Sequence, residues 1–184
     1  MTDAGAIHLP NGVVVSSAKD HYHLYGPVLT FEVLGEPVGQ GRISFLGKGR
    51  PAIHSNQNRL LPWRELVQHA AEDAITEEQQ RFARINVEPW FGGFPLDGPV
   101  GLYACFILPK AKSAPKTKTT WPTKRPDGSH LLRAIEDAMT NAGVWRDDSQ
   151  LVDEHIVKAF PGEHSQALHV PGVRVVVYTI GGES

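Results

Sequence analysis

The most constraining stretch is residues 125–154, RPDGSHLLRAIEDAMTNAGVWRDDSQLVDE, where an acid stands at a loop-to-helix entry and an acidic doublet stands where the chain returns. Leu131, Leu132, Ile135, Ala138 and Met139 recur at helical spacing, and Gly143 suits the position just past the helix end. A helix over residues 130–142 climbs roughly 18 Å, and six extended residues, 143–148, recover roughly that distance. The spacing therefore allows Asp148 to return beside Asp127. Carboxylates converging in a loop suit a hard divalent cation such as Mg²⁺, which takes oxygen ligands in an octahedron and keeps several waters. Phosphodiester hydrolysis is the natural use, because such a cation polarises the phosphoryl oxygen and lowers the pKa of an attacking water.

Structural roles compete for the same residues. Asp127, between Pro126 and Gly128, also suits a turn or helix entry, and Asp148 suits a turn ahead of a strand. Arg133 either forms an ion pair with Asp137 four residues on, or meets the scissile phosphate, where a cation would stabilise a pentavalent phosphorane.

Just upstream, Lys110, Lys112, Lys116, Lys118, Lys124 and Arg125 fall within sixteen residues that contain no acid. A solvated surface loop is the ordinary reading of such a run. Its position directly before Asp127 favours contact with a polyanion, since neutralised phosphates release counterions and make binding salt-dependent. Trp121 within the loop is placed to stack on an unpaired base or to wedge a junction open. The net charge of −2 does not oppose this, because acids gathered elsewhere mask a local basic stripe.

With 184 residues, 41% of them hydrophobic, the chain is long enough for one sizeable core. Residues 1–26, mixed in Gly, Pro, Ser and His, read as an N-terminal extension, either a loose lead or an added edge strand, and 27–184 as the domain. Residues 28–34 alternate as a strand, and 37–45 are expected to pair with it before the loop Gly47-Lys48-Gly49-Arg50. That loop is no phosphate loop: five residues separate Gly41 from Gly47, and glycine follows Lys48 where Ser or Thr would hold magnesium. A hairpin turn is the better reading.

From Asn58 the pattern is helical, with Pro62 suiting a first turn and Leu66, Val67, Ala70, Ala71, Ala74 and Ile75 forming an expected core stripe. Residues 86–99 form a Pro/Gly-rich loop whose Trp90, Phe91 and Phe94 either fold over the core or serve an interaction. Residues 100–108, 151–160 and 173–180 read as strands. The order is roughly β-β-α-β-α-β-β, an α+β domain with two main helices packed on a mixed sheet.

The lone Cys105, in the apolar run GLYACFIL, reads as a small buried hydrophobe and cannot form an intrachain disulfide. The first 25 residues carry no signal-peptide pattern, and no stretch approaches the roughly 20 apolar residues of a membrane span, so a soluble, intracellular protein without membrane association is expected. His21, His23, His155, His164 and His169 fit no compact zinc ligand set.

In Pro126-Asp127, the helix LLRAIEDAM and the return GVWRDDSQLVDEHIVK, the chain resembles the RusA family of Holliday-junction resolvases, endonucleases of phages and bacteria that cut four-way DNA junctions symmetrically. The GQGR stretch and the Lys-rich loop are similar too, and the resemblance covers about residues 30–179. It implies an Mg²⁺-dependent enzyme, with Mn²⁺ as a possible substitute, that acts as a homodimer in the cytoplasm of a bacterial or phage-infected cell. It places Asp127 and Asp148 on catalytic, metal-binding aspartates, Arg133 on the active-site lysine, and Asp147 as an auxiliary acid.

Ser129 and His130 depart from the pattern, standing where the family usually has a second catalytic aspartate and an asparagine. Ser129 is a weak metal ligand and suits a helix N-cap, while His130 would suit Mn²⁺ better than Mg²⁺. A water fills the missing position, another acid substitutes, or the protein binds junctions without cutting them well.

Overall fold

The computed structural model describes residues 6–8, 14–16, 22–45, 52–115 and 117–182. In chain order the elements are β1 (Ala6–His8), β2 (Val14–Ser16), β3 (Tyr22–Leu34), β4 (Ile43–Phe45), β5 (Ala52–His54), α1 (Gln57–Ile85), β6 (Val100–Ile107), α2 (Gly128–Asn141), β7 (Leu151–Ala159) and β8 (Gly172–Gly182). A four-stranded sheet in the order β3-β8-β6-β7 forms the body, and two-stranded pairs, β1-β2 and β4-β5, stand apart from it. The fold is α+β, with a mixed sheet and two main helices, as the alternation of patterns predicts.

β6 is the pivot of the sheet: it runs antiparallel to β8 and parallel to β7. A parallel neighbour needs a crossover, and the chain supplies it through the basic loop and α2. All eight residues of β6 are buried. Successive side chains point to opposite faces, so Leu102, Ala104 and Phe106 enter the main core while Tyr103, Cys105 and Ile107 join a smaller cluster with Leu168 and Val176. Cys105 is thus the buried small hydrophobe that its apolar neighbours predict.

Both helices lie on the main-core side. The expected stripe of α2, Leu131, Leu132, Ile135, Ala138 and Met139, is buried, and Gly143 follows the helix end at φ +74°, where a side chain would be strained. In α1 the buried face is Leu60, Trp63, Val67, Ala71, Ala74 and Ile75. Leu66 is not core: it is 50% exposed, because one residue of helix turns it about 100° from Val67. Pro62 falls inside α1 and not in its first turn, since the helix begins at Gln57.

The expected pairing of residues 37–45 with the strand at 28–34 does not form. β3 pairs with β8, and β4 pairs antiparallel with β5. Residues 36–42 cross over α2 instead, where the Gln40 N–H donates to the His130 carbonyl at 2.9 Å. Gly39 makes the approach possible, since a Cβ there would meet the His130 backbone at 3.1 Å. Residues 47–50 lie outside the described residues, although β4 and β5 flank them as the arms of a hairpin do. In the loop at 86–99, Phe91 and Phe94 fold onto the core and Trp90 is exposed. Among the described residues no helix is long and apolar enough to cross a membrane.

Candidate active site

The turn after α2 shows how DDSQ presents one free acid. A short 3₁₀ turn, Asp148–Gln150, is capped by Asp147, whose carboxylate accepts from the Ser149 N–H at 2.9 Å. Gln150 completes the capping box: its side-chain oxygen accepts from the Arg146 and Asp147 N–H groups at 2.8 and 3.2 Å. Its nitrogen donates to the carbonyls of Leu96 and Gly98. The Ser149 hydrogen bonds hold the Asp147 carboxyl below its ordinary range. Asp147 is therefore occupied in shaping the turn, and Asp148 is left exposed.

Asp148 comes back to the face of α2 that carries Ser129 and Arg133. These three line one cleft together with Glu136 and Glu154. Asp127 lines a neighbouring cleft with Gln40, Arg42, Arg125 and His130. Helix geometry separates the two sets, because each residue turns about 100° and Ser129, Arg133 and Glu136 share a face that His130 does not. Ser129 is not the N-cap: Asp127 is, with φ −74° and ψ 143°, and its carboxylate makes no capping hydrogen bond.

Arg133 does not pair with Asp137. Arg64 and Gln40 hold Asp137, and Arg133 Nε stands 3.9 Å from Glu136, reaching the solvent beside the cleft. Glu136 is 7% exposed and is, among the described residues, the one buried charged side chain in the structure. Burial first, and then the Glu154 carboxylate, push its carboxyl above the ordinary value; Arg133 opposes the shift and Asp148 adds to it.

The acid-free run of lysines meets an acid from elsewhere. Lys110 pairs with Glu163, which also accepts from the Thr120 N–H at 2.9 Å, so this lysine fastens the loop. Lys112, Lys118, Lys124 and Arg125 remain exposed, and Lys116 lies outside the described residues. Trp121 is 56% exposed, edge-on to His164. A third, more apolar cleft is lined by Trp121, Lys124, Arg125, Leu108 and Phe160, and it shares Glu36, Pro37, Arg125 and Pro126 with the Asp127 cleft. Lys158 of β7 donates to the carbonyls of Lys124 and Pro126 at 3.1 and 2.9 Å, anchoring the approach to Asp127.

Glu136 and Glu154, which line the Asp148 cleft, and Lys158 and Glu163, which hold the basic loop, are residues that motif reading alone passes over. A signal for Glu136 exists: it sits seven residues after Ser129, on the same helical face. Asp148, Glu136, Glu154 and the Ser129 hydroxyl offer only oxygen donors, which fit a hard divalent cation. Among the described residues no three His, Cys, Asp or Glu groups stand as a ready-made ligand set. Mg²⁺ does not require one, since it is commonly held by one or two carboxylates with waters completing the octahedron.

The sequence model of a known family, Endodeoxyribonuclease RusA, matches residues 35–177, which takes in both helices, β6, β7 and the turn that bears Asp148. No curated protein matches the chain. With its motif acids at the entry of α2 and at the turn behind it, and with most of its length inside the match, the chain belongs to the RusA endodeoxyribonuclease family.

Proposed function

We propose that the protein is an Mg²⁺-dependent endodeoxyribonuclease that resolves four-way junctions and related branched DNA by symmetric nicking, in recombination and repair, with Mn²⁺ as a substitute metal. The observation that carries this reading is the division of labour at the return turn: Asp147 and Gln150 spend their side chains on the turn, and Asp148 is left free in a cleft beside Arg133. A divalent cation there would polarise the phosphoryl oxygen and supply hydroxide at neutral pH.

The remaining roles fall to the chain's own groups. Asp148 holds the cation, and Asp127, uncommitted at the mouth of α2, acts from the adjoining cleft. Arg133 meets the scissile phosphate and stabilises charge as it develops. Lys112, Lys118, Lys124 and Arg125 carry the DNA backbone, Lys116 belongs to the same run, and Trp121 stacks on an exposed base. Symmetric nicking calls for two sites related by a two-fold axis, hence a homodimer. Support for a pairing face comes from β7, an edge strand that leaves Val152 and Ile156 exposed next to the cleft.

The test is Asp148→Asn assayed on synthetic four-way junctions with Mg²⁺ and then Mn²⁺. Nicking should be lost with junction affinity retained. Full nicking by the variant overturns the assignment. A second reading, an attenuated or non-catalytic branched-DNA binder, is favoured by Ser129 standing where the family has an acid. Tight junction binding by the natural chain without cuts in either metal would select it.

A further inference from the structure

We propose that the apolar cleft beside Trp121 and the polar cleft beside Asp127 form one groove for an unpaired strand of DNA, with a single unstacked base in the first and its backbone in the second. This rests on the reading of the chain as a branched-DNA enzyme, and it names the feature of the branch that is held: a nucleotide out of its pair.

The two clefts adjoin. Both are lined by Glu36, Pro37, Arg125 and Pro126, so Arg125 stands on the boundary between them. The first encloses about 440 Å³, within the roughly 300–1,000 Å³ of pockets that take small organic molecules, and so has room for one nucleobase. Its walls include Trp121, Phe160, Leu108, Pro37 and Pro122. Proline carries no N–H, and the aromatic rings supply π-faces, so these walls suit a flat apolar surface. A base inside a duplex buries its faces in the stack and shows only its edges. An unpaired base presents the face that an aromatic wall binds.

Charge selects the occupant. Among the residues lining the first cleft the acid is Glu36, which Arg59 pairs at 3.0 Å, while Lys124 and Arg125 are exposed there. The second cleft carries Arg42, Arg59 and Arg125 beside Glu36 and Asp127. Arg42 and Arg125 are exposed, and neither makes an ion pair among the described residues. Residues 37–64, which supply Arg42 and Arg59, contain no acid at all. A proline-rich peptide would also suit the apolar walls, but it brings no phosphate to these arginines.

Both free arginines spring from fastened backbone. The Ser55 N–H donates to the Arg42 carbonyl at 2.9 Å, and Lys158 donates to the carbonyls of Lys124 and Pro126, on either side of Arg125. Cations placed in advance lose less freedom on binding. A fork or flap carries its base already unpaired, and a four-way junction supplies one by opening a pair at the branch point.

The experiment uses the full chain in EDTA, so that nothing is cut. Fluorescence anisotropy measures affinity for forked DNA whose single-stranded arm carries one abasic site, moved a nucleotide at a time from the branch point. One abasic position should weaken binding by the natural chain about fivefold to a hundredfold, the range of a lost base–aromatic stack, and its neighbours should matter little. In Trp121→Ala that position should lose its effect, while Trp121→Phe should keep it. Ala111→Trp, which fills the cleft from its exposed rim and leaves Trp121 in place, should also remove the effect. Arg42→Ala should weaken intact and abasic forks alike and reduce the slope of log affinity against log salt by about 0.7.

Preference for branched DNA over duplex with no abasic position that matters, or with the same loss persisting in Trp121→Ala and Ala111→Trp, overturns the groove and leaves the branched-DNA reading intact. An unchanged salt slope in Arg42→Ala takes the second cleft out of the groove and also overturns the proposal. Equal affinity for forks, four-way junctions and plain duplex sinks the branched-DNA reading and this inference with it.

Discussion

The side-chain nitrogen of Gln150 donates to the Leu96 carbonyl at 2.9 Å, tying the turn that presents Asp148 to a loop 54 positions earlier in the chain. With its bonds to Gly98, Arg146 and Asp147, this one amide fixes the turn on both sides. Gln150→Ala should lower unfolding free energy by about 1–3 kcal/mol, since several partly exposed hydrogen bonds are lost together. Nicking should fall further than stability accounts for, because Asp148 is no longer aimed. Denaturant unfolding with a parallel nicking assay checks both, and an unchanged unfolding midpoint would count against the staple.

Hydrogen bonding from Lys110 and from the Thr120 N–H holds the Glu163 carboxyl below its ordinary 4.5. A carboxyl whose folded value is depressed stabilises above its unfolded value and loses that contribution as pH falls through the folded one. The loop fastening should therefore be complete above about pH 4.5 and be lost only as pH falls through the lower, folded value. The Thr120 amide shift, followed by NMR, should titrate with a midpoint under 4.5 and stop titrating in Glu163→Gln. A midpoint at or above 4.5 contradicts the pairing.

Lysines that look alike in sequence should separate in salt dependence. Alanine at Lys112, Lys124 or Arg125, all exposed, should each reduce the slope of log affinity against log salt by about 1. Lys110→Ala should leave that slope nearly unchanged, because Glu163 already matches its charge. Filter binding of a four-way junction across a salt series distinguishes the two groups.

Burial pushes the Cys105 thiol up to about 11. At pH 8 roughly one molecule in a thousand would carry the reactive thiolate, and the sulfur is fully enclosed as well. Native protein should resist maleimide or disulfide reagents until it unfolds, so the labelling rate should track the unfolding rate. Rapid labelling of folded protein would contradict the burial.

Much of this protein is written locally. The spacing of Leu131, Leu132, Ile135, Ala138 and Met139 sets α2, the apolar run sets β6, and the acids on either side of α2 mark the family. Those features depend on neighbours three or four residues away, or on alternation within one strand, which a sequence displays directly. What tertiary structure decided are the partnerships across long separations. β3 chose β8 over the segment beginning at residue 37, and Lys110 found Glu163 53 positions away. Asp148 came back to the Ser129 face of α2, leaving Asp127 to the adjoining cleft. Glu136 is the clearest case: its helical angle is legible in the sequence, but its burial beside Asp148 depends on where β7 and the return turn close over the helix.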